Sequence, residues 1–233
     1  MHVVITGASK GLGKALAEKF SSNGHHLFLT SRKEVDLYKA LEELMTKCPG
    51  LLIRARPSDL SYRDQAKEFG RWVLGFGVPV DVLINNAGQF SPGNTHDETE
   101  GQLEHMISTN LYSAYHLTRV LLPAMMKQGS GHIFNMCSIA SLSAYPNGGS
   151  YSISKFALAG FSKNLREEMK PFGIKVTTVY PGAVYTDSWA GSGVDPGRIM
   201  QTADIAEMIY AASLLSPQAT VEEILLRPQL GDL

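Results

Sequence analysis

The chain has 233 residues, of which 44% are hydrophobic and 18% charged, with a formal net charge of −1. These proportions belong to a globular protein with a sizeable core. The near-neutral balance argues against nucleic acid as a partner, and Cys48 and Cys137 lie too far apart for metal-ligand spacing, so two reduced thiols and no metal are expected.

In chain order, the first apolar strand spans 2–6 and begins almost at Met1, which leaves no room for a secretory signal. No apolar run approaches the ~18 residues of a membrane span. A soluble, cytoplasmic protein with no membrane contact is therefore expected. Thr6-Gly7-Ala8-Ser9-Lys10-Gly11-Leu12-Gly13 comes next, followed by a helix in which Leu12, Leu16 and Phe20 recur every four residues until Asn23-Gly24 stops it. Gly7 permits a sharp turn off the strand, Gly11 a close approach to a pyrophosphate, and Gly13 tight packing of helix on sheet. The helix N-terminus faces the anion.

The second strand, 26–31, runs into Thr30-Ser31-Arg32-Lys33 with no carboxylate. An acid there would bind the ribose hydroxyls of NAD and repel a 2′-phosphate. Here Arg32 is able to pair with a phosphate, Ser31 to add a hydroxyl, and Lys10 to approach from the other side, so NADP(H) is the expected cofactor. The plainer alternative is that Arg32 and Lys33 are solvated charges.

Helices are expected over 34–47, 61–75, 98–128, 150–170 and 203–215. They alternate with strands over 51–56, 80–85, 131–137, 175–180 and 223–227. Most strands are nearly continuous apolar runs, as in parallel strands covered on both faces. Repeated strand–helix–strand units imply right-handed crossovers. The fold class is α/β: a single-domain Rossmann fold over 1–233, with a doubly wound, mostly parallel, seven-stranded sheet. Residues 183–200 lack periodicity and contain Gly191, Gly193, Pro196 and Gly197, which suits a substrate lid, the alternative being a poorly ordered insertion.

Tyr151 and Lys155 are four residues apart on an expected helix and share one face. A nearby ammonium is expected to favour the phenolate and so make the tyrosine a usable acid at neutral pH.

The three residues between Gly7 and Gly11, with Asn85-Asn86-Ala87-Gly88, Asn110, Ser138, Tyr151-x-x-x-Lys155, Pro181-Gly182 and Thr186, resemble the short-chain dehydrogenase/reductase family along essentially the whole chain. The resemblance implies a nicotinamide-dependent oxidoreductase acting on a small-molecule carbonyl or alcohol. It implies that Tyr151 is the proton donor, that Ser138 holds the carbonyl oxygen, and that Lys155 holds the nicotinamide ribose. Asn110 would bend its helix and anchor a water. Asp59 and Leu60 would hold the adenine, although Asp59 also reads as a helix cap. Asn86, Ala87 and Gly88 would line the cofactor, and Pro181, Gly182, Val184 and Thr186 the nicotinamide. A homodimer or homotetramer packed through the helices carrying Asn110 and Tyr151 is implied as well.

The substrate is less sharply marked. Tyr145, Ser138, Tyr151 and the segment 89–94 are expected to form its pocket, with Trp189 either stacking on a planar ring or packing the lid. Pro181 to Thr186 with Trp189, and the tail from Val221 to Asp232, look like bacterial sepiapterin reductases, which reduce side-chain ketones of pterins. Asp187 or Asp232 would suit a pterin's amino-pyrimidine edge. The core motifs are equally compatible with a 3-oxoacyl reductase or a general alcohol or sugar dehydrogenase. A non-catalytic NADP sensor is the reading of another class, disfavoured because such proteins tend to lose the Tyr/Lys pair.

Overall fold

The computed structural model describes every residue except 187, 188, 190–192 and 233. Seven strands, β1 (His2–Thr6), β2 (His26–Thr30), β3 (Ile53–Ala55), β4 (Val82–Asn85), β5 (Gly131–Met136), β6 (Ile174–Pro181) and β7 (Glu223–Leu226), form one sheet. Its order is β3-β2-β1-β4-β5-β6-β7, and every pairing between these strands is parallel. Parallel pairing requires a crossover between consecutive strands, and helices supply most of them. These are α1 (Gly11–Ser22), α2 (Glu34–Lys47), α3 (Arg63–Leu74), α4 (Gln102–Ile107), α5 (Ser113–Gln128), α6 (Gly149–Met169) and α7 (Thr202–Ser213).

Alternation along each strand divides the core. Val3, Ile5, Leu27, Leu29, Val82 and Ile84 face one layer, which they share with Leu16 and Phe20 of α1, Leu37 of α2 and Ile209 of α7. Val4, Phe28 and Leu83 face the other, with Phe69 of α3, Leu121 of α5 and Leu165 of α6. Both faces are therefore dry, which explains why the strands read as unbroken apolar runs. Each large aliphatic side chain so buried contributes about 1.5–3 kcal/mol.

The sequence pattern led to one continuous helix over 98–128. The chain is instead turns up to residue 101, then α4, a five-residue π-helical turn (Ser108–Tyr112), and α5. Turn hydrogen bonds from Asp97 N and Glu98 N to Asn94 O and from Gln102 N to Thr99 O occupy the residues expected in the first helical turn.

The chain steps outward from β1 to β3, then crosses back to place β4 on the other side of β1. At such a reversal the connections leave the carboxyl ends of two neighbouring strands in opposite directions and open a crevice between them. Gly7 and Asn86, which directly follow β1 and β4, stand at its mouth.

Candidate active site

A cleft of about 610 Å³ occupies this crevice. Its β2 side is lined by Ser9, Lys10, Ser31, Arg32, Asp59 and Leu60. Its floor is Gly7, Gly11, Leu12, Gly13, Ala87 and Gly88, with Asn86 among them. Tyr151, Lys155, Pro181 and Thr186 line the β5 side.

The floor is braced from β1 and β4. Thr6 Oγ1 accepts from Asn86 N at 2.9 Å and from Ala87 N at 2.8 Å. Asn86 Nδ2 donates to Thr6 O at 2.9 Å and to Gly7 O at 3.2 Å, so this side chain holds the glycine loop itself. A Cβ on Gly13 would run into the Gly7 carbonyl and lie 2.6 Å from Asn86 Nδ2, so nothing larger than glycine fits. The Ser9 and Ser31 hydroxyls meet at 2.9 Å across the cleft's upper edge. Thr30 Oγ1, buried at the end of β2, has no hydrogen-bond partner among the described residues. A cradle that excludes side chains, hydroxyls at its rim and two cations at Lys10 and Arg32 fit a phosphorylated dinucleotide.

Asp59 lines the cleft and also accepts from Ser61 N at 3.1 Å and Ser61 Oγ at 2.6 Å, which fixes the turn leading into α3. Tyr62, not Asp59, is the cap residue of that helix. Gly182 and Val184 do not line the cleft. Gly182 N donates to Leu226 O at 2.8 Å, and Val184 is buried in the core, bridging to Met200.

On the other side, Lys155 is only 6% exposed, and its Nζ donates to the Met136 carbonyl at 2.8 Å. The ammonium stands 5.9 Å from the centre of the Tyr151 ring. Burial pulls the Lys155 pKa below its ordinary value. Burial likewise lifts the Tyr151 phenol above its ordinary value, against a hydrogen bond with Ser138 that works to lower it. The expected depression of Tyr151 by Lys155 is not seen: burial is the largest influence, Ser138 works against it, and the neutral phenol is favoured. The adjacent Cys137 thiol is pushed up to about 12 by burial, which makes it an inert neighbour rather than a nucleophile.

Ser138 follows β5 and caps a short 3-10 turn (Ile139–Ser141), its Oγ accepting from Ala140 N at 3.2 Å. Asn110 is fully buried at the middle of the π-helical turn. Its Nδ2 donates to Ser154 Oγ at 2.9 Å and Gln89 O at 3.0 Å, while its Oδ1 accepts from Gln89 N at 2.7 Å. Gly88 packs against this group, a Cβ there meeting Asn110 Oδ1 at 3.1 Å and Lys155 Nζ at 3.4 Å.

Tyr145 is half-exposed, and burial and then the neighbouring Tyr151 raise its pKa. Trp189 N donates to Thr186 O at 2.9 Å, but the Trp189 side chain does not line the cleft. Asp187 lies outside the described residues, and Asp232 is ion-paired with Arg227. Several lining groups carried no sequence signal: Asp36, Ser58, Thr109 and Met136, with Thr30 quoted only as part of the strand end. Met136 acts through its main-chain carbonyl, which no side-chain pattern reveals. Phe90 stands edge-on to Tyr151 at 4.9 Å, in a segment marked only as pocket wall. Among the described residues no group of His, Cys, Asp and Glu is placed to hold a metal, and no helix is long and apolar enough to cross a membrane.

Comparison with known proteins gives the arrangement its family. A family model described as short chain dehydrogenase matches residues 1–195. The sepiapterin reductase of Chlorobaculum tepidum is 33% identical over 99% of this chain and 97% of its own length. A metagenomic short-chain oxidoreductase solved in complex with NADP superposes with a TM-score of 0.84 at 30% identity, covering 98% of this chain and 97% of that one. An alcohol dehydrogenase from the archaeon Thermococcus sibiricus, complexed with 5-hydroxy-NADP, does so with a TM-score of 0.89 at 29% identity, over 98% and 96%. The chain belongs to the short-chain dehydrogenase/reductase family and is an oxidoreductase acting on CH–OH and C=O groups.

Proposed function

We propose that the protein is an NADPH-dependent ketone reductase in which Tyr151 is the proton donor. The observation that carries this reading is Tyr151 and the buried Lys155 on one face of α6, the Lys155 ammonium 5.9 Å from the centre of the Tyr151 ring, at one end of a dinucleotide-sized cleft. At neutral pH Tyr151 is the protonated phenol, the form that gives a proton when a carbonyl is reduced. Ser138 donates a hydrogen bond to the same carbonyl oxygen and fixes it within reach of Tyr151. Both contacts strengthen as negative charge grows on that oxygen, so they favour the transition state over the ketone.

Lys10, Ser31 and Arg32 would hold the 2′-phosphate, Asp59 and Leu60 the adenine, and the Gly7–Gly13 loop the pyrophosphate. Lys155 would hold the nicotinamide ribose, with Pro181 and Thr186 beside the ring. When bound, NADPH supplies the hydride. Asn110, by occupying the π-helical turn and bonding Ser154 one residue before Lys155, keeps the Lys155 side chain aimed at the reacting end.

For substrate, likeness to the Chlorobaculum tepidum enzyme supports a ketone on a planar heterocycle. Phe90 and Tyr145, both half-exposed aromatics near Tyr151, supply apolar faces for such a ring. Residues 183–200 act as the lid in this reading. Their two ends are joined by Tyr185 N to Met200 O at 2.8 Å and Met200 N to Ala183 O at 3.1 Å. Exposed Tyr112, Ile153 and Phe156 on the α5 and α6 side support assembly as a dimer or tetramer. Two unpaired cysteines suit a reducing compartment such as the cytoplasm.

The test is Tyr151→Phe, assayed by NADPH oxidation with sepiapterin, an acetoacetyl thioester and an aryl diketone in parallel. Turnover should fall by about 10²–10⁴-fold with NADPH binding retained. Undiminished turnover would remove Tyr151 from its role, and inactivity of the wild type with sepiapterin alone would remove the pterin assignment.

A further inference from the structure

Helix α6 begins in an unusual way. Its cap residue is Gly148, which has no side chain to offer, and its first residue is Gly149 at φ +32°. A helix of this length ordinarily caps itself with Ser, Thr, Asn or Asp. Here the cap comes from another part of the chain. Ser150 N donates to Glu98 Oε1 at 2.8 Å, and the Ser150 hydroxyl donates to Glu98 Oε2. Ser150 is 1% exposed, and the next residue is Tyr151.

Gly149 makes room for this contact. A Cβ there would collide with Glu98 Oε1 and lie 2.5 Å from the Gly93 carbonyl. Two further bonds join the same segments: Gly93 N to Asn147 O at 3.1 Å and Asn147 N to Asn94 Oδ1 at 3.0 Å. Asn147 takes a left-handed φ of 64° to make them. At its other end the loop is held by Asn110, which grips both the N–H and the carbonyl of Gln89. Between the two anchors, the Phe90 ring packs edge-on against Tyr151 at 4.9 Å.

Residues 89–98 thus form a strap pinned at one end by Asn110 and at the other by Glu98, touching Tyr151 by its ring and by the backbone next to it. We propose that Glu98 is a positioning residue for the Tyr151 hydroxyl, acting through Ser150 and the first turn of α6. The remainder of α6 is held by Leu158, Leu165 and Met169 in the core, so loss of the cap loosens the first turn and spares the fold. The role in catalysis rests on the proposed reductase reading, whereas the effect on Tyr151 itself does not.

The experiment compares Glu98→Ala, Glu98→Gln and Ser150→Ala with wild type as full-length, NADP⁺-bound protein. It uses ¹³Cζ-tyrosine NMR, the Tyr151 resonance being assigned by its loss in Tyr151→Phe, together with kcat and KM for NADPH and for the active ketone. Glu98→Ala should shift or broaden the Tyr151 signal and lower kcat about 10–100-fold, with KM for NADPH little changed. Glu98→Gln keeps an oxygen to accept from Ser150 N and should restore most of kcat; Ser150→Ala should fall between. An unmoved Tyr151 signal, or wild-type kcat in Glu98→Ala, overturns the proposal. So does a parallel loss of kcat and NADPH binding in all three variants, which would mark a purely structural cap. If wild type reduces none of the ketones, the reductase reading fails, and the Tyr151 signal alone decides for or against Glu98.

Discussion

Lowering the pH should destabilise the fold in good part through one residue of β5, His132, the most deeply buried of the histidines whose pKa the fold lowers. The side chain is 4% exposed, with Nε2 2.7 Å from Thr177 Oγ1. That hydroxyl donates its own proton to Val221 O at 2.5 Å, so Nε2 must carry the imidazole proton and Thr177 accept it. Nδ1 is buried and has no partner among the described residues, so a second proton there would be neither solvated nor bonded. Burial, followed by the charge of Lys175, lowers the pKa from 6.5 to about 3. The fold therefore favours the neutral form, while the unfolded chain takes up a proton near the ordinary value. The stabilisation is complete above about pH 6.5 and drains away as pH falls towards 3. At about pH 4.5 the difference is roughly two units, or about 2.7 kcal/mol at ~1.36 kcal/mol per unit. Urea unfolding of wild type and His132→Gln, near pH 7.5 and again near pH 4.5, measures it. Wild type should lose about 2.7 kcal/mol more than the variant between the two conditions. Equal losses would show that His132 titrates normally and would refute the burial argument.

Replacing Arg32 by Asp should reverse cofactor preference, raising KM for NADPH by about 10–100-fold, as expected for loss of a charged hydrogen bond plus repulsion. A wild-type preference for NADH would contradict the charge reading at Lys10 and Arg32. Gly13→Ala should weaken NADPH binding at least about tenfold and cost about 1–3 kcal/mol, because the new methyl group meets the Gly7 carbonyl; cofactor fluorescence titration would expose an unaffected site. On the alkaline side, burial lowers Lys155, so its proton should be lost at a pH below the ordinary lysine value, whereas burial raises Tyr151. Reductase activity should then decline below the ordinary lysine value of about 10.4 while the Tyr151 NMR signal is still that of the phenol. A tyrosine signal that titrates ahead of the activity loss would reverse the assignment.

The parts of this molecule that follow from local rules were legible in its sequence. Strand β1, the Gly7–Gly13 loop and α1 announce themselves by period and glycine spacing within two dozen residues. The apolar runs of Val3-Val4-Ile5 and Val82-Leu83-Ile84 foretell a sheet buried on both faces. The local bend at Asn110 came from family likeness, and the chain places a π-helical turn there. What depends on distant partners was not legible. Residues 98–101 have helical character, yet Glu98 is committed to Ser150, 52 positions away, and the helix starts only at Gln102. The bond of the Gly182 amide to Leu226 across the β6–β7 edge is likewise one that no local pattern shows. The acidity of Tyr151 is set by how deeply it is buried, a quantity that spacing on a helix does not carry.

The π-helical turn at Ser108–Tyr112 also constrains how this chain is able to vary. A wide turn accommodates one residue more than an α-turn, and each residue rotates a helix by about 100°. The surplus residue therefore sets the phase of everything after it, including Thr118, which accepts from Asn85, and Leu121 and Met125 in the core. Deleting one residue between 108 and 112 would give the helix ordinary bonding and a better intrinsic energy. It would also swing Asn110 off Ser154 and Gln89, or else carry the α5 apolar stripe off the sheet. The length of this turn is therefore held by the contacts on both sides of it, whereas the exposed side chains along α5 are not.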